Sequence, residues 1–117
     1  GLTAAAALRA RGVEVAAVVE RGDRPGGVWA SRVYKNVRLQ HSRHDFCMAG
    51  LEWPEGTPNF PTQRHVKAHV AHFVERHRLG PLLRLSTQLQ RADWDAGRGE
   101  WRLALRGPGG AESELRC

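Results

Sequence analysis

The spacing of apolar residues predicts a helix followed by a strand at the start of the chain. Leu2 to Arg11 is Ala-rich and favours a helix, and Gly12 suits its C-terminus because glycine reaches the left-handed conformation without steric cost. The run from Val13 to Val19 is almost continuously apolar and rich in β-branched residues, as in a parallel strand buried on both faces. Helix, tight turn and buried strand are half of a βαβ unit.

After an irregular stretch over residues 30–61, the pattern first becomes helical and then alternates. Thr62 can cap a helix that runs through Arg78 with apolar residues on one face, and Gly80-Pro81 ends it. The alternating part predicts an antiparallel β-meander over approximately residues 82–116. Its strand segments are Leu83 to Leu89, Glu100 to Arg106 and Ala111 to Leu115, separated by Gly-rich turns.

Two residues at the ends of the first helix–strand unit match a dinucleotide fingerprint. Gly1 begins the helix and Glu20 ends the strand. In GxGxxG units the last glycine permits close helix–strand packing, the helix N-terminus faces a pyrophosphate, and an acidic residue about 20 positions on binds ribose hydroxyls. A solvated glutamate at any strand end gives the same spacing, so both interpretations stay open. The fingerprint interpretation implies that the first strand and the first two glycines are missing from this chain.

The run from residue 20 to residue 29, ERGDRPGGVW, resembles the E-R-x-x-x-x-G-G-x-W segment of flavin-containing monooxygenases and their Baeyer–Villiger relatives. The resemblance covers nearly the whole chain. It continues through Tyr34-Lys35-Asn36, the segment from Phe46 to Pro54, Phe60-Pro61-Thr62 and the segment from Gly99 to Leu103.

The resemblance implies an α/β fold, in which residues 1–117 are an incomplete Rossmann-like FAD-binding domain with an inserted helix and an antiparallel β-meander. It also implies where the cofactor lies. The implied contacts are Gly1 at the pyrophosphate, Glu20 on the ribose, Arg21 near the adenosine, Gly26, Gly27 and Trp29 along the cofactor, and Gln40 at the flavin. Gln40 stands where animal-type members have asparagine, and glutamine at this position looks more like plant-type members.

Membership of this family implies an enzyme that binds FAD, takes hydride from NADPH at a site outside this chain, and reacts with molecular oxygen. A flavin hydroperoxide would then oxygenate a nitrogen or sulfur nucleophile of a small molecule. A Baeyer–Villiger monooxygenase and an amine N-hydroxylase are alternatives from the same superfamily. No catalytic side chain is assigned, and we expect the isolated chain to be inactive.

Charge and composition leave one alternative outside enzymes. The net charge of +6 would suit a basic nucleic-acid-binding module, but the arginines are dispersed from Arg9 to Arg116, which favours no nucleic-acid partner. No segment approaches the roughly 18 apolar residues of a membrane span. The two cysteines, Cys47 and Cys117, indicate a reducing compartment, so we expect a cytoplasmic protein.

Two histidine groups raise the question of a metal or a nucleophile. His65, His69 and His72 share a helical face, for which we expect a solvated or domain-facing surface and no metal, because no acidic or cysteine ligand accompanies them. His41 and His44 lie near Cys47 in an irregular loop, where we expect packing rather than nucleophilic catalysis.

Overall fold

The computed structural model describes residues 1–117 and contains two small β-sheets and three α-helices. One sheet is a pair of parallel strands, and the other is a three-stranded antiparallel meander in which consecutive strands are neighbours. The α/β fold class and the meander are confirmed. The elements are α1 (Leu2–Ala10), β1 (Val18–Val19), α2 (Val28–Ser31), α3 (Gln63–Arg76), β2 (Leu83–Arg84), β3 (Gln88–Asp95), β4 (Glu100–Arg106) and β5 (Glu112–Arg116), with 3-10 turns at Gly80–Leu82 and Pro108–Gly110.

The core lies where α1, α3 and the irregular segment meet. Ala5, Leu51, Phe73 and Leu79 form a buried cluster, in which Phe73 and Leu79 have no exposed surface. Ala5 is the buried residue of α1, and Gly12 follows this helix with φ +77°. The expected helix and its glycine stop are therefore confirmed, because glycine tolerates the left-handed backbone at this position.

The predicted strand from Val13 to Val19 is wrong in length and burial. Only Val18 and Val19 pair with another strand, parallel to Leu83–Arg84, and both are half-buried. Val13 is 47% exposed. Apolar, β-branched composition favours a strand, but a ladder forms only where a partner backbone supplies hydrogen bonds. Here the partner strand has two residues.

Helix α3 follows its predicted signals closely. A capping box precedes it: the backbone N–H of Thr62 donates to His65 Nδ1 (3.2 Å), and the Thr62 side chain caps the first turn. The helix ends at Arg76 instead of Arg78, whose φ is +50°. The guanidinium of Arg9 donates to the carbonyls of His77 (2.9 Å) and Arg78 (3.1 Å), which satisfies acceptors at this end of the helix.

The first segment of the predicted meander belongs to two different sheets. Leu83–Arg84 is one strand of the parallel pair, and the meander begins only at Gln88. Ser86, with φ +49°, separates the two strands because a left-handed residue interrupts extended backbone. Short helix α2 was also not expected from the sequence.

The meander has one charged face. Arg102 lies 4.0 Å from both Asp93 and Glu114, while Arg116 contacts Glu114 at 2.9 Å and Glu100 at 3.2 Å. Arg116 and Glu114 lie on the same strand, whereas the other three pairs join neighbouring strands, where opposite charges stabilise a sheet. None of the helices is both long and apolar enough to cross a membrane.

Candidate functional site

Two clefts open beside the end of β1 and share Val19 and Glu20. The smaller one, about 320 Å³, lies between the start of α1, β1, α2 and α3 and is mainly apolar. The larger one, about 810 Å³, lies between the end of β1, α2 and the start of β3 and is mainly polar. The smaller cleft is lined by residues that include Gly1, Glu20, Gly26, Trp29, Phe46 and Met48, and the larger one by residues that include Glu20, Arg21, Gly27, Arg32, Thr87 and Gln88.

Glu20 is held at the point where the clefts meet. Its backbone N–H donates to the carbonyl of Arg84 (3.0 Å), and its carbonyl accepts from the N–H of Thr87 (2.9 Å). One carboxylate oxygen, Oε1, accepts from the backbone N–H of Gly22 at 2.6 Å. The other carboxylate oxygen has no hydrogen-bond partner within the chain and is free to accept from a ligand.

Gly26 and Gly27 shape the turn into α2. Their φ angles are +122° and +55°, in the half of conformational space that favours glycine. The carbonyl of Gly26 accepts from the N–H of Trp29 (3.2 Å), and that of Gly27 accepts from the N–H of Ala30 (3.1 Å). A Cβ on Gly26 would lie 3.3 Å from the Ala30 Cβ. The glycine pair therefore places Trp29 beside the smaller cleft.

The loop before this turn carries an exposed ion pair. The guanidinium of Arg24 binds Asp23 at 2.7 Å and, chiefly through this hydrogen bond, lowers the pKa of the Asp23 carboxyl. Arg21 is exposed and has no carboxylate partner, so its charge remains available on the wall of the larger cleft.

Trp29 is fixed from two sides. Its ring meets that of Phe46 edge-on, with centroids 6.4 Å apart and planes at 63°. Its carbonyl accepts from the side-chain amide of Gln63 at 2.9 Å. The irregular segment and the first residue of α3 thus both orient the short helix that carries this indole.

The start of α1 forms one end of the smaller cleft, which Gly1, Leu2 and Thr3 line. A Cβ on Gly1 would lie 3.6 Å from Val18 Cγ1, an ordinary van der Waals contact. Helix–strand packing alone therefore does not require glycine at this position. The free amide groups of the first helical turn lie at this end of the cleft, where they can favour a negatively charged group.

Six of the seven candidate residues thus line the two adjoining clefts, while Gln40 is exposed and lines neither. Arg32 and Thr87 are wall residues that the sequence interpretation missed. Thr87 had a usable signal, because it follows closely on the carboxyl end of a parallel strand, the edge at which ligands of open α/β sheets bind. Arg32 had none in its local pattern.

The histidine face of α3 differs from the expectation of a solvated or domain-facing surface. His65 belongs to the capping box, whereas His69 is only 1% exposed and stacks on Trp53, with ring centroids 4.0 Å apart and planes at 12°. The expectation is wrong for His69 because the irregular segment covers this side of the helix. Burial lowers the pKa of the His69 imidazole, and nearby His72 lowers it further.

Cys47 is exposed in the irregular segment. Its Sγ lies 3.3 Å from the carbonyl of Arg43 and 3.5 Å from that of His44, so it contacts backbone oxygens instead of an imidazole base. The nucleophile arrangement is not formed. Trp53, by contrast, donates its indole N–H to the Arg43 carbonyl at 2.8 Å and helps to fold this segment.

Comparison with known proteins agrees with this geometry. A family model described as an NAD(P)-binding Rossmann-like domain matches residues 1–55. Probable indole-3-pyruvate monooxygenase YUCCA1 from Arabidopsis thaliana is 30% identical over 88% of the chain, and a Baeyer-Villiger monooxygenase from Streptomyces coelicolor is 29% identical over 88% of it. The chain belongs to the flavin monooxygenase family.

A solved structure of this fold extends the match. S-allyl-L-cysteine S-oxygenase from Allium sativum superposes with a TM-score of 0.86 over 98% of the chain at 21% identity. The likeness confirms the Rossmann-like architecture that the flavin monooxygenase segment adopts. The chain spans 24% and 20% of the two sequence relatives and 31% of this structure.

Proposed function

We propose that the chain forms the FAD-binding part of an FAD- and NADPH-dependent monooxygenase that oxygenates a nitrogen or sulfur nucleophile of a small molecule. The observation that carries the proposal is the convergence of six motif residues on two clefts that meet at Glu20. Membership of the flavin monooxygenase family supports the same cofactor.

The residues present fit a dinucleotide. The unpartnered oxygen of Glu20 would accept hydrogen bonds from ribose hydroxyls, and the amide groups at the start of α1 would stabilise pyrophosphate charge. Arg21 would lie along the adenosine half, with Gly26, Gly27 and Trp29 along the cofactor. The glycines leave the backbone accessible where a side chain would stand. The role of Gln40 at the flavin is proposed on the sequence resemblance alone.

When bound, reduced FAD supplies the reaction with molecular oxygen, and the protein supplies binding and orientation. The edge-on pair of Trp29 and Phe46 contributes here because it gives the smaller cleft a rigid apolar wall. Such an apolar wall would exclude water from the bound cofactor.

The nitrogen or sulfur substrate is the finer part of the proposal. The name of the Allium sativum relative, an S-oxygenase, supports sulfur, whereas that of the Streptomyces coelicolor relative supports a Baeyer–Villiger reaction as the alternative. Oxygen-dependent NADPH oxidation by the whole protein with a sulfide, a tertiary amine and a cyclic ketone separates these classes. A cytoplasmic location is proposed from the cysteine content.

A basic nucleic-acid-binding surface on the meander is disfavoured by the ion pairs of its arginines. All five arginines of the meander region contact carboxylates, and they are Arg91, Arg98, Arg102, Arg106 and Arg116. A guanidinium that is paired with a carboxylate attracts a phosphate backbone less strongly, because protein binding to nucleic acid depends on cations that are not already neutralised.

The test is binding of ADP and FAD to the purified protein, measured by calorimetry and by quenching of flavin fluorescence. Glu20→Gln removes the carboxylate charge, and we expect it to weaken ADP binding about tenfold, the scale of a hydrogen bond to a charged group. Glu14→Gln is the matched control, because Glu14 is exposed and lies outside both clefts. Equal affinities for the two variants, or no ADP binding at all, would contradict the proposal.

A further inference from the structure

His69 is a buried titratable group that the proposed function does not use. It is 1% exposed, and neither ring nitrogen has a hydrogen-bond partner. Its ring lies nearly parallel to that of Trp53 at a centroid distance of 4.0 Å. A neutral imidazole can be accommodated in this way, but a protonated one must place two N–H donors and a charge in the same space.

Trp53 connects this stack to the smaller cleft. Its indole N–H lies 2.8 Å from the carbonyl of Arg43 and 3.0 Å from that of Phe46, which folds the segment 43–53 around the indole. The Phe46 ring then contacts Trp29 edge-on. Met48, in the same segment, lines the smaller cleft and packs on the core. The position of one cleft wall therefore depends on where Trp53 sits.

We propose that the stack of His69 on Trp53 is an acid-labile latch, which holds the segment 43–53 against α3 at neutral pH and releases it, opening the smaller cleft, when His69 is protonated. The segment has few long-range hydrogen bonds: the N–H of Arg43 donates to the carbonyl of Asn59, and the Arg43 guanidinium donates to the carbonyl of Thr57. Both partners belong to the same irregular stretch. Attachment to α3 therefore relies on side-chain packing, by the His69–Trp53 stack and by Leu51, which lies in the core cluster with Phe73.

The groups around His69 oppose its protonation. On α3 the nearest titratable neighbours are His72, whose charge acts on His69, and His65 in the capping box. On the segment, Arg43, His44 and Glu52 line a cleft of about 560 Å³ together with Trp53, and Glu55, just after the segment, lines the same cleft. Neither carboxylate accepts a hydrogen bond from the imidazole. A cation over the indole face gains a cation–π attraction, but this is smaller than the cost of burying an unpaired charge.

The sign of the effect follows from linkage. The pKa of His69 is lowered in the folded protein, so below about pH 6.5 the released state binds a proton that the latched state does not. Latching is therefore complete above this pH and weakens as the pH falls toward the folded pKa. One proton gives a change of at most about tenfold in the latching equilibrium for each pH unit.

The test is amide hydrogen exchange from pH 7.5 to pH 5, corrected for the intrinsic pH dependence of exchange. We expect protection of residues 43–53 to fall by up to about tenfold per pH unit below pH 6.5, while the meander keeps its protection. His69→Phe keeps a flat ring against Trp53 and should abolish the acid step. His72→Gln, at an exposed position on the same helix, should retain the acid step and move it to a higher pH, because His72 lowers the pKa of His69.

Three results would overturn the latch. They are protection of residues 43–53 that does not change with pH, an acid step that persists in His69→Phe, and a segment already unprotected at pH 7.5. If His69→Phe does not fold, the ring proton resonances of His69 in the unaltered protein decide the matter. A midpoint below 6.5 that coincides with the loss of protection of residues 43–53 supports the latch, and a midpoint at or above 6.5, or one at which protection does not change, overturns it.

Discussion

Gly26→Ala tests whether the turn into α2 is held by backbone geometry. Gly26 has φ +122°, a conformation that residues with a Cβ rarely adopt, and forcing it costs about 1–3 kcal/mol. The new Cβ would also lie 3.3 Å from the Ala30 Cβ, which must move by a few tenths of an ångström. Because Ala30 belongs to α2, the helix has to shift to make room. We expect the free energy of unfolding to fall by about 2–3 kcal/mol.

Urea unfolding followed by tryptophan fluorescence and far-ultraviolet circular dichroism measures this change. Gly97→Ala is the control, since Gly97 lies in an exposed turn without positive φ and its added Cβ would be 3.4 Å from the Asp95 carboxylate, an ordinary contact. We expect the control to stay within about 0.5 kcal/mol of the unaltered protein. A Gly26→Ala variant as stable as the control would refute the reasoning, since the turn would then have another conformation.

The remaining predictions concern the packing that supports the site. Phe73→Ala removes a fully buried ring from the core and should cost about 3–5 kcal/mol in thermal unfolding, and a loss below 2 kcal/mol would mean that the core collapses around the gap. Thr62→Ala removes the cap of α3 and should cost about 1 kcal/mol by urea unfolding, whereas Thr62→Ser should retain most of it. Arg91→Ala breaks an exposed pair with Asp93 and should change stability by less than about 0.5 kcal/mol, so a larger loss would point to a cooperative charge network.

Elements with local signals were predictable from the sequence. Gly12 ends α1 and Thr62 begins α3 because capping depends on a few neighbouring residues. The turn at residues 95–99 is equally local, since the Asp95 carboxylate accepts from the N–H groups of Gly97 (3.0 Å) and Arg98 (3.1 Å). Such features need no knowledge of the rest of the chain.

Pairing between distant segments was not predictable in the same way. Val18 and Val19 pair with Leu83 and Arg84, and no spacing within either segment specifies this register or its length. The division between β2 and β3 depends on the left-handed backbone at Ser86, a residue type without a strong preference for that conformation. The sequence therefore predicted strand character correctly but assigned it to the wrong boundaries.

The residues of the site also divide into those that a local motif indicates and those that only the fold brings to the clefts. Glu20 and the glycine pair are recognisable because they occupy one short motif, whereas Arg32 and Thr87 reach the larger cleft only through the fold. For His69 the sequence interpretation was wrong about what covers the side chain. Its helical face lacks ligands and was expected to be solvated or domain-facing, but Trp53 covers it from a segment whose path no periodic pattern indicates.

The contrast between the two clefts bears on what can occupy them together. A ligand in both must pass Glu20, since Val19 and Glu20 are the residues that the two walls share. It must also have a polar part beside Arg21 and, in the smaller cleft, a part that contacts both the apolar wall at Trp29 and the free amide groups of α1. A dinucleotide would meet these demands with adenosine beside Arg21, ribose hydroxyls at Glu20 and pyrophosphate at the start of α1, whereas a uniformly charged polymer would not enter the mainly apolar cleft. The order of residues along the walls thus favours a dinucleotide cofactor over nucleic acid.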